Sequence, residues 1–131
     1  MQNPSERIIP APIPTEDTKV FWQAAAEDRF LVKRCLACTK VHWYPRALCP
    51  FCFSDNTEWQ PGSGRGVVYS FSVMRRAPQP YAVAFVTLEE GPTMLTNLVD
   101  CDFDALAIGQ AVQVVFKPTD GPWRVPVFRP A

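Results

Sequence analysis

Apolar and polar positions follow two different rhythms along this chain. From Val67 to Met74, the residues Val67, Tyr69, Phe71 and Val73 interleave with Val68, Ser70, Ser72 and Met74. That period of two belongs to a half-buried strand. A second strand is predicted over 81–88 and, after the turn Glu89-Glu90-Gly91-Pro92, a third over 93–99. Gly109 opens a fourth over 111–116, and Asp120-Gly121-Pro122 turns into a short fifth over 125–128. Residues 102–106 predict one helical turn between the third and fourth strands. Pro126 lacks an N–H to donate, so an edge or a bulge is expected in the last strand.

The other rhythm is helical and comes first. Over 15–28, Val20, Phe21, Ala24 and Ala25 fall on one face with Trp22 beside them. Thr15 is the expected N-cap, and Glu16 and Asp17 suit the positive end of the helix dipole. Ahead of it, Pro4, Pro10, Pro12 and Pro14 make residues 1–14 an extended arm that orders only against a partner or the domain surface. Ile8, Ile9 and Ile13 in the arm, and Trp123 and Phe128 near the other end, are apolar groups that docking would cover. The expected organisation is an arm and helix (1–28), a small middle unit (29–61) and a barrel (62–131). Five strands with a helical link between the third and fourth match an OB barrel. The whole is mainly β.

The middle unit carries the strongest chemical signal. Cys35 and Cys38 form one C-x-x-C pair, Cys49 and Cys52 another, with ten residues between the pairs. Two such knuckles aim four thiolates at one ion, the layout of a closed tetrahedral site. Zinc is the expected occupant, in a structural role; iron in a rubredoxin-like centre uses the same ligands. His42, the sole histidine, is expected to be a strand residue outside a shell already filled. The first residues lack a basic segment followed by an apolar run, which predicts a cytoplasmic protein with reduced thiols.

Length and composition narrow the rest. The chain has 131 residues, 47% of them hydrophobic, and a formal net charge of zero. That allows a sizeable core, and no apolar run approaches membrane-spanning length. Charge is uneven: residues 29–76 hold eight basic and two acidic side chains, and residues 77–116 hold five acidic and no basic ones. The basic set includes Arg29, Lys33, Arg34, Lys40, Arg46, Arg65, Arg75 and Arg76. It can bind phosphate groups or offset the formal minus two of a four-thiolate dication site. Cys101 is left over from the paired cysteines. Asp100, Asp102 and Asp104 would raise its pKa, so it reads as a barrel residue and not a nucleophile. No Ser-His-Asp or Cys-His arrangement occurs. Gly62-Ser63-Gly64-Arg65-Gly66 is too short for a phosphate loop, lacks its lysine, and reads as a hinge.

These residues, in this order, resemble a bacterial and archaeal family that joins a rubredoxin-like zinc ribbon to an OB fold. The marks are Val20-Phe21-Trp22, the two cysteine pairs, Tyr44-Pro45-Arg46, Gly64-Arg65-Gly66-Val67-Val68-Tyr69-Ser70, Asn97-Leu98-Val99-Asp100-Cys101, Ile108-Gly109 and the terminal Pro126-Val127-Phe128-Arg129-Pro130. The family often has glycine after each knuckle's second cysteine. Here Thr39 and Phe53 stand there, which predicts strain if those positions need positive φ.

The resemblance implies a non-catalytic accessory subunit. It would dock on a thiolase-like enzyme (a thiolase, an acyl-CoA synthase or an acyl-CoA side-chain aldolase), two chains of each, and help form its acyl-CoA site. With CoA as ligand of the complex, Arg75 and Arg76, then Lys40 and Arg46, are expected to meet its phosphates. Two alternatives remain at this point. One is a single-stranded nucleic-acid module, against which stand the pI of about 6.6 and the acidic second half of the barrel. The other is a stand-alone acyl-CoA-binding protein.

Overall fold

The helical stripe near the N-terminus folds as α1 (Lys19–Ala25). The computed structural model describes residues 7–131; the first six residues of the predicted arm lie outside them. Helix α1 is shorter than the predicted 15–28. Thr15 is not its cap: its carbonyl accepts from the N–H groups of Thr18 and Lys19 in a preceding turn, and Thr18 takes the cap position. The Thr18 hydroxyl accepts from the Thr15 N–H, pointing back and not into the helix. The helix ends where Arg29 N–H reaches Ala24 O and Asp28 N–H reaches Ala25 O, with Asp28 at φ 59°. Those are the bonds of a Schellman motif. Phe21, Trp22, Ala24 and Ala25 are buried, while Val20 is exposed. Trp22 thus takes the place in the stripe expected of Val20.

Strands β1 (Leu31–Cys35), β2 (Val41–His42) and β3 (Thr57–Pro61) form an antiparallel sheet in the order β2-β1-β3. The remaining five are β4 (Arg65–Met74), β5 (Tyr81–Leu88), β6 (Thr93–Leu98), β7 (Ala111–Pro118) and β8 (Arg124–Pro130). They close into a barrel of order β4-β5-β6-β8-β7, with β7 returning to β4. A 3-10 turn at Phe103–Ala105 links β6 to β7, capped by the Asp102 carboxylate on Asp104 N–H at 3.0 Å. The fold class read from the sequence is the one found.

Barrel alternation has one phase change. Gly66 and Val68 face inward at the start of β4, and Val68 opposes Val86. Register then shifts, so that Tyr69 and Ser70 together oppose Phe85. This bulge turns Phe71 and Val73 inward and leaves Tyr69 outside. Pro126 is accommodated by direction. Phe128 turns its carbonyl to the β6 side, accepting from Val99 N–H at 2.9 Å, and the β6 contact begins only at Leu98↔Phe128. Two residues earlier, Pro126 turns its nitrogen to the same flank, ahead of any partner. It therefore interrupts no ladder bond.

One hydrophobic core runs through helix, ribbon and barrel. Phe21 meets Trp22 (4.9 Å between ring centroids) and Trp43 (4.8 Å), and Phe30 meets Phe128 at 6.3 Å in an edge-to-face contact. Phe128 is fully buried here and cannot be a docking group, contrary to expectation; Trp123 packs half-buried against the same cluster. The expected hinge is likewise a lock. Gly62 N–H donates to Phe30 O, Val114 N–H to Gly64 O at 2.7 Å, and Ser63 N–H to the Glu90 carboxylate. Gly64 sits at φ +76°, and a Cβ there would lie 2.5 Å from Val114 Cγ1. Arg124 adds a further tie, its Nε 2.8 Å from Asp28 Oδ1.

Candidate metal centre and its surroundings

Each C-x-x-C segment leaves a strand or turn and doubles back on itself. In the first knuckle Thr39 N–H donates to Cys35 O at 2.9 Å; in the second, Phe53 N–H donates to Cys49 O at 2.8 Å. Both turns close through a residue with positive φ, Thr39 at 69° and Phe53 at 64°. These are the positions where the missing glycines predict strain. Left-handed backbone crowds Cβ against the following carbonyl, most of all in a β-branched residue such as Thr39.

The knuckles bring four sulfurs together. The Sγ atoms of Cys35, Cys38, Cys49 and Cys52 all lie within 4.8 Å of one another. Cys35 and Cys52 Sγ are 3.5 Å apart, Cys38 and Cys49 Sγ 3.6 Å. No cysteine is disulfide-bonded. A tetrahedron with metal–sulfur bonds of about 2.3 Å has edges of about 3.8 Å, so the group fits a zinc ion held by these four side chains. Four thiolates complete the coordination shell and leave no place for a water ligand. Such an ion contributes folding energy and not a nucleophile.

Backbone dipoles prepare two of the thiols for ionisation. The Cys38 N–H, 3.4 Å from Cys35 Sγ, brings the Cys35 thiol down to about 7. Burial opposes ionisation at Cys49, but the N–H groups of Cys52 and Phe51 outweigh it, and that thiol too is lowered. At Cys52 the Ser54 N–H favours the thiolate, yet the thiols of Cys35, Cys38 and Cys49, together with burial, push it up to about 11.

His42 lies on β2 outside this cluster, buried, with neither ring nitrogen hydrogen-bonded. Burial and the nearby Lys33 hold its pKa below the ordinary range, so the imidazole is neutral. Cys101 packs half-buried against the core. Its thiol is raised, as expected; burial is the largest cause, with Asp100 and Asp102 adding to it.

The basic residues sit on separate elements. Arg75 and Arg76 lie in the β4–β5 turn, where Arg75 pairs with Asp104 at 2.7 Å in an exposed contact. Lys40 and Arg46 belong to the ribbon. Lys40 Nζ lies 4.9 Å over the Phe51 ring, and Arg46 lends its carbonyl to Lys33 Nζ. Sequence reasoning missed the exposed apolar side chains around the metal, namely Leu36, Leu48, Phe51 and Phe53. Their signal was available: all four lie inside or immediately beside the C-x-x-C pairs, on short knuckles that have little interior of their own. No helix among the described residues is long and apolar enough to cross a membrane.

Comparison with known proteins places the chain. Residues 22–58 match the rubredoxin-like zinc ribbon domain of ChsH2, and residues 59–117 match the ChsH2 C-terminal OB-fold domain. A probable enoyl-CoA hydratase alpha subunit of Thermomonospora curvata is 35% identical over 95% of this chain and 40% of its own length. The chain thus spans well under half of that relative. A DUF35 domain-containing scaffold protein of Methanothermobacter thermautotrophicus is 37% identical over 79% of this chain and 83% of its own. Among solved structures, a chain of the Ltp2-ChsH2(DUF35) aldolase superposes with a TM-score of 0.83 at 34% identity, covering 92% of this chain and 98% of that one. With cysteine knuckles, barrel order and relatives in agreement, the chain belongs to the DUF35 family, as a ChsH2-type zinc ribbon joined to an OB fold.

Proposed function

We propose that this chain is a non-catalytic accessory subunit that docks on a thiolase-like enzyme and helps form its acyl-CoA site. The observation that carries the reading is the match to nearly the whole of a chain from the Ltp2-ChsH2(DUF35) aldolase. The chemistry of the described residues supports it. The four-thiolate site is closed, the single histidine is buried and neutral, and the leftover thiol is held protonated. None of these three groups pairs a nucleophile with a base, and in this reading the reacting groups belong to another subunit.

In this reading Arg75 and Arg76, with Lys40 and Arg46 as secondary contacts, meet the phosphates of CoA held between the subunits, and zinc is structural. The complex contains two chains of each kind, because enzymes of this type are commonly built around a two-fold axis. Co-expression with a thiolase-like subunit of the same organism tests the reading. Size-exclusion chromatography with light scattering should give one hetero-oligomer, active only when both chains are present. Reversing the charge of Arg75 and Arg76 should raise KM for the CoA substrate more than it lowers kcat. A partner that elutes separately and is fully active alone overturns the reading.

A further inference from the structure

The outer face of the barrel over β4–β6 departs from the rule for exposed sheets. An antiparallel strand with one wet face alternates apolar with polar residues. Strand β5, Tyr-Ala-Val-Ala-Phe-Val-Thr-Leu, does not, and neither β5 nor β6 contains a charged residue. Inward positions are filled by Ala82, Ala84, Val86 and Leu88. The outward ones carry Val83, Phe85 and Thr87. Across the β5–β6 ladder Phe85 stands directly opposite Leu95, and both are exposed, at 45% and 58%. The β4 bulge adds Tyr69 to the same row, opposite Phe85 and 65% exposed, with Val67 one step along.

Three polar side chains of β5 and β6 on this face are satisfied within the sheet. The Thr87 and Thr93 hydroxyls lie 3.0 Å apart, and Asn97 Nδ2 donates to Ala82 O. Arg65, at the margin, is paired with Glu89 at 2.7 Å. An apolar centre with neutralised polar groups and an ion-paired margin has the anatomy of a protein interface. Closure leaves the barrel's own strands without an edge to extend, so a partner that meets the barrel meets a face.

We infer that this three-strand face, centred on Tyr69, Phe85 and Leu95, is where the chain seats on the enzyme subunit of the proposed complex. The inference rests on the accessory-subunit reading. The occupant follows from the relatives: the same two-unit segment is a minor part of a longer hydratase alpha subunit and accompanies an aldolase in the solved relative. In the first the unit is part of an enoyl-CoA hydratase subunit, and in the second it occurs with an aldolase.

The test measures affinity between the purified full chain and a thiolase-like subunit of the same organism, for wild type, Phe85→Glu and Leu95→Ser. A charge placed at the centre of an apolar interface should weaken binding about thirtyfold or more, and the milder truncation about five- to tenfold. Zinc content and thermal midpoint should stay at wild-type values, because both side chains are exposed. Leu95→Ser carries the test if Phe85→Glu fails to fold. Wild type that binds while both variants bind within threefold of it overturns the surface and leaves the accessory reading intact. Wild type that does not bind overturns both. Self-association of the free chain that Phe85→Glu abolishes overturns the occupant, giving the face to a second copy.

Discussion

Replacing Phe128 with alanine should destabilise the ribbon and the barrel together. Phe128 is fully buried, on the strand that closes the barrel, yet its ring meets Phe30 edge-to-face at 6.3 Å. Phe30 in turn contacts Phe21 and Trp43 of the helix and ribbon. Truncating a buried phenylalanine costs about 3–5 kcal/mol, from lost transfer energy and the cavity left behind. Against a total stability of about 5–15 kcal/mol for a domain of this kind, that is a large fraction. The edge-to-face contact itself is worth about 0.5–1.5 kcal/mol beyond the area it buries. A double-mutant cycle on Phe30→Leu and Phe128→Leu isolates that part.

Two probes report on the two halves. Thiolate-to-metal absorption of the cobalt-substituted protein follows the ribbon, and far-ultraviolet circular dichroism follows the barrel. Wild type should lose both signals in one urea transition. Phe128→Ala should move both midpoints down by the same amount. Val112→Ala, a smaller truncation inside the barrel opposite Pro130, provides the comparison at smaller cost. Should Phe128→Ala lower only the barrel transition while the metal signal keeps its midpoint, or should the cycle give a coupling near zero, the shared-core argument is wrong.

Three other outcomes follow from the same structure. Elemental analysis should find about one zinc per chain, and Cys38→Ser should lose the metal and unfold the ribbon, since binding energy at a closed site is folding energy; a fully folded, metal-free variant contradicts this. Zinc affinity should rise with pH by about one decade or more per unit between about 7 and 9, because the Cys52 thiol, pushed up to about 11, must shed its proton throughout that window and Cys35, at about 7, only in its lower part. The sign is fixed: metal stabilisation grows as pH rises and is lost as pH falls, and a flat cobalt or zinc titration would sink the argument. Gly64→Ala should cost about 2 kcal/mol or more, because the residue sits at φ +76° and its Cβ would lie 2.5 Å from Val114 Cγ1; an unchanged urea midpoint would show that the linker can yield.

Much of this was written in local patterns. The cysteine pairs specify their own convergence, because a knuckle is closed by its own backbone bonds. The glycines usual in the family at the positions of Thr39 and Phe53 point to positive φ there, and both residues adopt it. The strands showed themselves wherever alternation was uninterrupted. Local pattern failed where a distant partner decides. Whether Tyr69 faces in or out depends on a bulge defined only by its pairing with β5. The helix start moved from Thr15 to Lys19 because Thr18 bonds backward to Thr15. Phe128 was placed outside because a small barrel offers little interior; the room it occupies is supplied by Phe30 and its aromatic neighbours. Glycines at 62–66 suggested freedom, whereas each of the three is small because something stands where its Cβ would be.

That last reversal bears on what an accessory subunit must do. A chain that supplies a wall of a site, and not a reacting group, acts only through the positions it fixes. Its basic candidates are divided between ribbon loops and the far turn of β4, so their spacing is set by the ribbon–barrel angle. Two ties hold that angle, the Phe30–Phe128 contact and the Gly62–Gly64 segment bonded to both sides, while the Arg124–Asp28 pair joins the barrel to the end of α1. Lys40 extends from the first of the two knuckles whose cysteines would hold the metal. In the proposed complex, a zinc ion held there would act on the acyl-CoA site only through packed side chains, with no bond to substrate. Removing it from the assembled complex should raise KM for the CoA substrate before it lowers kcat.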